Sequence, residues 1–153
     1  MPGIFKNKNN FARATTFVDY QLIRGTLFKS FEFYKALDHP FAKAAYMMFV
    51  ITEVQPFLYG NGLIARIMMN AELVHAHQSK ILLPTVYRND YISALKNITS
   101  TDGPHAYIRM LQNAHAFSAE VHSDNINSIQ TYLMQCNAFS DNPNDKLKII
   151  TQQ

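Results

Sequence analysis

Apolar residues recur every three to four positions along most of the chain, which is the spacing of one face of an α-helix. The first such stretch runs from Phe17 to Tyr34, with Gly25 as a candidate interruption. The segment Asp38-His39-Pro40 then predicts the end of this helix and the start of the next, because proline suits the first turn of a helix. Five glycines and six prolines in the whole chain leave few interruptions. The pattern therefore predicts a protein that is helical almost throughout.

The segment from Ala42 to Val54 is apolar nearly all the way round, which is typical of a helix in the centre of a bundle. A break follows at 55–61, and the next helix is expected from Gly62 to about His77. Shorter periodic stretches predict further helices near residues 91–98, 107–117 and 126–134. The expected fold class is all-α, a compact bundle of about six to eight helices around the 42–54 and 62–77 pair.

The ends of the chain differ in character from its middle. Residues 1–14 are polar and predict a loose N-terminal arm, and residues 141–153 predict a short C-terminal tail. Between them no repeat or linker-like stretch interrupts residues 15–140. This length matches a single domain, so 15–140 are predicted to form one helical domain.

Composition and charge narrow the classes of partner. Hydrophobic residues make up 48% and charged residues 16% of the chain, which favours a packed globule. The net charge is +3, and the Lys and Arg residues are scattered along the sequence without a basic stripe. No nucleic-acid partner is therefore expected. No apolar run approaches the roughly 18 residues of a membrane span, so no membrane partner is expected. Cys136 is the only cysteine, and without a secretory signal the predicted location is cytoplasmic.

The loop that precedes the second central helix is the most informative segment. The Gly60-Asn61-Gly62 turn can direct backbone N–H groups at an anion. Arg66 lies four residues after Gly62, one helical turn on, where its guanidinium could reach the same anion. Asn61 also suits the left-handed backbone conformation and could cap the helix. These residues predict a phosphate-binding site that consists of Gly60, Asn61, Gly62 and Arg66.

The segment from Gln55 to Arg66 resembles the signature loop of the Fic (filamentation induced by cAMP) family, whose pattern is H-P-F-x-[D/E]-G-N-G-R-x-x-R. The residues that match this pattern are Pro56, Phe57, Gly60, Asn61, Gly62 and Arg66. The residues that depart from it are Gln55, Tyr59 and Leu63. The flanking segments 39–46, 68–73 and 84–95 are similar to further family blocks. The resemblance implies a Fic-like helical bundle with a small β-hairpin flap, which would fall near residues 24–36.

The resemblance also implies an activity and its loss. The family transfers a nucleotide phosphoryl group, usually AMP from ATP, to a hydroxyl side chain of a target protein. Gln55 stands where the family has its general base, a histidine, and an amide cannot take up the proton. Tyr59 stands where an acid holds Mg²⁺, and a neutral phenol is a poor ligand for that ion. Leu63 replaces a phosphate-contacting arginine, so we predict a degenerate loop with no catalytic residue and no metal ligand.

Three interpretations remain open from the sequence. The favoured one is a regulatory or scaffolding protein that has lost ordinary AMP transfer (AMPylation). In this interpretation it keeps weak binding of ATP or another nucleotide, with Mg²⁺ binding in doubt, and it acts through a protein partner or target. The alternative is an active nucleotidyl or phosphoryl transferase that modifies protein hydroxyls by a variant mechanism, with Glu53 as a candidate base or ligand. The third is a pure interaction domain, in which Tyr59 and Leu63 fill the phosphate space and Arg66 is a solvent-facing or ion-paired residue.

Overall fold

The computed structural model describes residues 3–12, 15–98 and 103–151 of the chain. The chain divides into two units, Met1–Gln78 and Ser79–Gln153. The elements of the first unit are β1 (Phe11–Ala12), β2 (Thr15–Thr16), α1 (Ile23–Lys35), α2 (Pro40–Val54) and α3 (Asn61–His75). The elements of the second unit are a 3₁₀ turn (Thr85–Tyr87), α4 (Arg88–Ile98), α5 (His105–Glu120) and α6 (Ile126–Gln135). Six helices and one small hairpin within these ranges confirm the predicted Fic-like all-α fold.

The hairpin does not lie where it was expected. The two strands pair antiparallel, Phe11 with Thr16 and Ala12 with Thr15, whereas the predicted position near residues 24–36 is wrong because α1 occupies it. The helix continues through Gly25, since a glycine inside a helix costs only about 1 kcal/mol relative to alanine. Packing of the buried Ile23 against Val50 and Val54 favours the helix despite that cost.

Helices α2 and α3 form the centre of the first unit and pack against each other, as the sequence predicts. His39 caps α2, because its Nδ1 accepts a hydrogen bond from the Phe41 N–H at 3.2 Å. The buried apolar side chains of the two helices are Ala44, Ala45, Met48, Val50, Ile51 and Val54 of α2, and Ala65, Met69 and Leu73 of α3. The short connection between Val54 and Asn61 keeps the end of α2 beside the start of α3.

The second unit has its own core. Phe117 of α5 stacks on Tyr132 of α6 with 6.2 Å between the ring centroids, and Cys136 is buried in the same cluster. The buried Ser118 hydroxyl donates to the Ala114 carbonyl and accepts from the Leu82 N–H, which attaches the segment before α4 to α5. Within the described ranges, none of the helices is both long and apolar enough to cross a membrane.

Candidate functional site

The loop between α2 and α3 has a residue in the left-handed backbone conformation at each of its ends. Gln55 has φ 48° and ψ 60° and ends α2, while its N–H still donates to the Ile51 carbonyl at 3.0 Å. Gly60 has φ 78° and begins α3. The expectation that Asn61 takes the left-handed conformation is wrong. Glycine meets no Cβ penalty there, so Gly60 makes the turn and Asn61 becomes the first helical residue.

The buried side chain of Asn61 holds the loop together. Its Oδ1 accepts a hydrogen bond from the Phe57 N–H at 2.9 Å. Its Nδ2 donates to the Phe57 carbonyl at 2.7 Å and to Oε1 of Gln55 at 2.9 Å. Both donors of this amide are therefore committed within the loop. Asn61 shapes the site with its side chain and can offer an anion only its backbone N–H.

The side chain of Gln55 is equally committed. Its Nε2 donates to the Thr52 carbonyl at 2.9 Å, and its Oε1 accepts from Asn61. The amide thus ties the last turn of α2 to the first residue of α3. The left-handed conformation of a non-glycine residue costs roughly 1–2 kcal/mol, and these hydrogen bonds offset that cost.

Lys6 supports the loop from the N-terminal segment. Its N–H donates to the Pro56 carbonyl at 2.8 Å, and its Nζ donates to the Val54 carbonyl at 3.4 Å, at the end of α2. The residue is 3% exposed, and this burial lowers the pKa of the Lys6 ammonium, an effect that the Asp19 carboxylate opposes. A cation at a helix C-terminus is stabilised by the helix dipole, which gives the buried ammonium a favourable position.

Asn10 and Phe5 complete this support. The Nδ2 of Asn10 donates to the Phe57 carbonyl at 2.8 Å. The ring centroids of Phe5 and Phe57 lie 5.9 Å apart. These contacts were not predicted from the sequence, where the available signal was the presence of Phe5 and Phe11 among mostly polar neighbours. Residues 1–2, 13–14 and 152–153 of the predicted arm and tail lie outside the described residues, and the domain boundaries at 14 and 141 stay predictions.

The outer face of the loop is open. Tyr59 is 84% exposed and Leu63 is 58% exposed, so neither side chain packs into the space beside the glycines. Arg66 turns back along α3, and its Nη1 lies 3.6 Å from the point where a Cβ on Gly62 would be. Arg66 makes no ion pair with an acid of the described residues.

The start of α3 and Arg66 together form a positive surface. Gly60 supplies no side-chain cap, and the first N–H groups of a helix have no partner within the helix. The helix dipole adds a partial positive charge at the same end. The structure therefore brings Gly60, Gly62 and Arg66 together on one exposed face, with the backbone of Asn61 between the glycines.

The two acids near the loop differ in their surroundings. Both carboxylate oxygens of Glu72 accept from the Tyr34 hydroxyl at 2.9 Å. Glu53 is half-buried and has no hydrogen-bond or ion-pair partner among the described residues. Burial raises the pKa of the Glu53 carboxyl. Glu53 is thus the acid near the loop whose proton is held more tightly than usual.

The pKa of Glu53 leads to a stability prediction. A carboxyl whose pKa is raised on folding destabilises the folded state once it ionises, so stability falls as pH rises through the folded pKa. We expect Glu53→Gln to raise the free energy of unfolding at about pH 7 by less than about 1 kcal/mol, a modest figure because the group is only half-buried. The gain should vanish at about pH 3, where Glu53 is protonated in both states.

Urea denaturation of wild type and variant at the two pH values measures this difference. Asp124→Asn, at an exposed position of the second unit, is the matched control and should show no comparable gain. A gain for Glu53→Gln that persists at low pH would attribute the effect to helix propensity and not to ionisation.

A sequence model of the Fic/DOC family matches residues 2–73. Residues 2–73 are thus similar in sequence to the Fic/DOC family. The resemblance predicted from the loop is confirmed, and the matched stretch contains the hairpin, α1, α2, the loop and most of α3.

Relatives and a solved structure agree with this assignment. Protein adenylyltransferase Fic of Drosophila persimilis and its counterpart in Drosophila pseudoobscura pseudoobscura are each 34% identical over 58 residues, which are 38% of this chain. The chain spans only 11% of the length of these relatives. A Fic-domain-containing signalling protein of Bacteroides thetaiotaomicron superposes with a TM-score of 0.54 at 17% identity, over 88% of this chain and 51% of that one. This likeness shows a shared fold.

Proposed function

We propose that this chain is a Fic-like domain that binds the phosphates of a nucleotide, such as ATP, without transferring AMP, and that it acts as a regulatory or scaffolding module on a protein partner in the cytoplasm. The proposal rests on the chemistry and the hydrogen bonds of the Gln55 side chain. Its amide has no basic site of ordinary strength, and both ends of the amide are hydrogen-bonded to Thr52 and Asn61. A protein hydroxyl placed at this loop would find no group there to take its proton.

Retained phosphate binding is supported by the open face of the loop. The exposed Gly60 and Gly62 leave the start of α3 accessible, and Arg66 lies beside Gly62 without a competing carboxylate among the described residues. Tyr59 and Leu63 do not occupy that space. A guanidinium beside backbone N–H groups suits a phosphate.

The Mg²⁺ ion that the family uses does not fit these residues. Mg²⁺ prefers hard, anionic oxygen ligands, and the loop between α2 and α3 contains no acid. Tyr59 offers a neutral phenol on an exposed side chain, and Glu72 is hydrogen-bonded to Tyr34. We therefore expect nucleotide binding that does not depend on Mg²⁺.

Isothermal titration of the purified chain with ATP, with and without Mg²⁺, tests this proposal. We expect weak binding, in the range of about micromolar to millimolar, that is indifferent to Mg²⁺. Absence of heat at millimolar ATP would overturn the nucleotide part of the proposal and favour the pure interaction domain. Strong dependence on Mg²⁺ would show that another residue replaces the lost acid.

Arg66→Ala should weaken ATP binding by at least about tenfold, because a hydrogen bond to a charged group contributes about 1.5–3 kcal/mol. Arg88→Ala, an exposed arginine at the start of α4, is the matched control and should bind ATP as the wild type does. The same titration measures all three proteins. Equal weakening by both substitutions would mean that net charge, and not a site at the loop, attracts the nucleotide.

An active transferase remains the second candidate because of Glu53. The relatives are named protein adenylyltransferases, and a half-buried carboxyl with a raised pKa is suited to general-base catalysis. Incubation with labelled ATP and candidate target proteins tests it. Transfer of label that Glu53→Gln abolishes would establish this candidate and overturn the non-transferring one, whereas no transfer by the wild type supports our proposal.

A further inference from the structure

Two exposed aromatic residues lie side by side on α1. Phe28 is 73% exposed and Phe31 50%. Phe28 and Phe31 are three positions apart and therefore lie next to each other on one face of the helix. Single exposed apolar residues are ordinary, whereas a contiguous apolar patch marks an interaction site.

The patch continues into a groove of about 350 Å³ between α1 and α2. Leu27, Phe28 and Phe31 contribute one wall, and Met47, Val50 and Ile51 are among the residues of the other. The Tyr46 hydroxyl at the groove is already paired, because it donates to the Ser30 carbonyl at 3.1 Å. The groove is therefore apolar and recessed, which suits the apolar side chains of an incoming helix.

Cations surround this apolar centre. Arg24, Phe28, Phe31 and Lys35 follow one another at spacings of one helical turn, so the stripe has a cation at each end. Lys35 Nζ lies 5.2 Å from the ring centroid of Phe31. Lys43, near the start of α2, lies 5.2 Å from the ring centroid of Tyr34 on α1.

These cations are not neutralised within the first unit. The one acid on α1 is Glu32, and it pairs with Lys29 at 2.7 Å. Arg24, Lys35 and Lys43 have no carboxylate partner among the described residues. The groove therefore combines an apolar floor with a positive rim, and it lacks the negative charge that would complement it.

We propose that the groove between α1 and α2 is a docking site for an acidic amphipathic helix of a partner protein. Apolar side chains of that helix, at spacings of three to four positions, enter the groove and contact Phe28 and Phe31. Its carboxylates face Arg24, Lys35 and Lys43. The stripe spans about 17 Å at a rise of 1.5 Å per residue, so a helix of about 12 residues or more matches it.

Charge and shape favour this occupant over two others. A second copy of the chain, docked through the same stripe, would place Arg24 and Lys35 against cations, and like charges across an interface are unfavourable. An anionic membrane would suit the lysines, but the buried walls of the groove, such as Val50 at 6% exposure, are recessed from a flat lipid surface. The residues that line the groove do not include any of the loop, so the proposal does not depend on nucleotide binding.

The test uses a designed helical peptide of about 16 residues, long enough to span the stripe. It has leucines on one face and glutamates on the other, and a matched peptide has lysines in place of the glutamates. Fluorescence anisotropy measures binding of each labelled peptide to the full chain. We expect the acidic peptide to bind and the basic peptide to fail.

Variants of the exposed residues locate the binding site. Phe28→Ser and Lys35→Glu should each weaken binding of the acidic peptide by at least about tenfold. The first removes an apolar anchor, and the second removes a charge-assisted contact. Ile126→Ser on α6, at a residue that is 78% exposed, is the control for loss of an exposed apolar side chain and should leave binding unchanged. Circular dichroism confirms that the variants fold.

Failure of both peptides, or equal binding of both, would overturn the proposal. Acidic-peptide binding that Phe28→Ser and Lys35→Glu leave unchanged would overturn it as well, and so would a concentration-dependent dimer that Phe28→Ser abolishes. Sedimentation with phosphatidylserine vesicles, lost in both variants and without peptide binding, would assign the surface to membranes and would also overturn it.

Discussion

Replacing Asn61 with alanine should lower the free energy of unfolding by about 2–4 kcal/mol, because it leaves two groups of the loop without partners. The Phe57 N–H loses its acceptor and Oε1 of Gln55 loses its donor. The Phe57 carbonyl is affected less, since Nδ2 of Asn10 still donates to it at 2.8 Å. Urea denaturation followed by circular dichroism measures the change.

Two further variants show whether the hydrogen bonds are responsible. Asn61→Asp keeps an acceptor for the Phe57 N–H but directs a carboxylate at two oxygens that now receive hydrogen bonds, so it should be as destabilising as alanine. Asn113→Ala, at an exposed position of α5, should change stability by less than about 0.5 kcal/mol. If Asn61→Ala matches Asn113→Ala, the loop owes its shape to the backbone and to Gly60 alone.

The helices were predictable because their burial follows a short repeat. In α3 the buried residues are Asn61, Ala65, Met69 and Leu73, four positions apart throughout, and α2 is apolar on nearly every side. A helical period of this kind is visible in one sequence and needs no knowledge of partners. The same holds for the glycines of the loop, because only a few residue types suit a left-handed turn.

The contacts that shape the loop were not predictable in the same way. Lys6 bonds to the end of α2 across 48 positions of sequence, and Asn10 bonds to the loop across 47. No local pattern reports such distant pairs. The role of Asn61 was misassigned, since its residue type suits both a left-handed turn and a buried amide. The hairpin was misplaced for a related reason: its strands have two residues each, too few to show an alternating pattern.

The largest functional effect is expected from restoring the three family residues. On the proposed function the wild type transfers no AMP, and Gln55→His, Tyr59→Asp and Leu63→Arg together should give a chain that transfers labelled AMP from ATP to protein. A positioned general base contributes about 10²–10⁴-fold, and an acid at position 59 would supply the missing anionic ligand for Mg²⁺. The exposure of Tyr59 and Leu63 means that two of the three substitutions should cost little stability.

Position 55 decides whether the restored loop works. Histidine must keep the left-handed backbone and must retain a bond to Asn61 while leaving one ring nitrogen available, because that nitrogen has to accept the proton of the target hydroxyl. The control is the triple variant with alanine at 55, which has the same acid and arginine but no base. We expect at least about 100-fold more transfer with histidine than with alanine. Should both triple variants bind ATP equally and transfer nothing, the loop would not be the limiting defect.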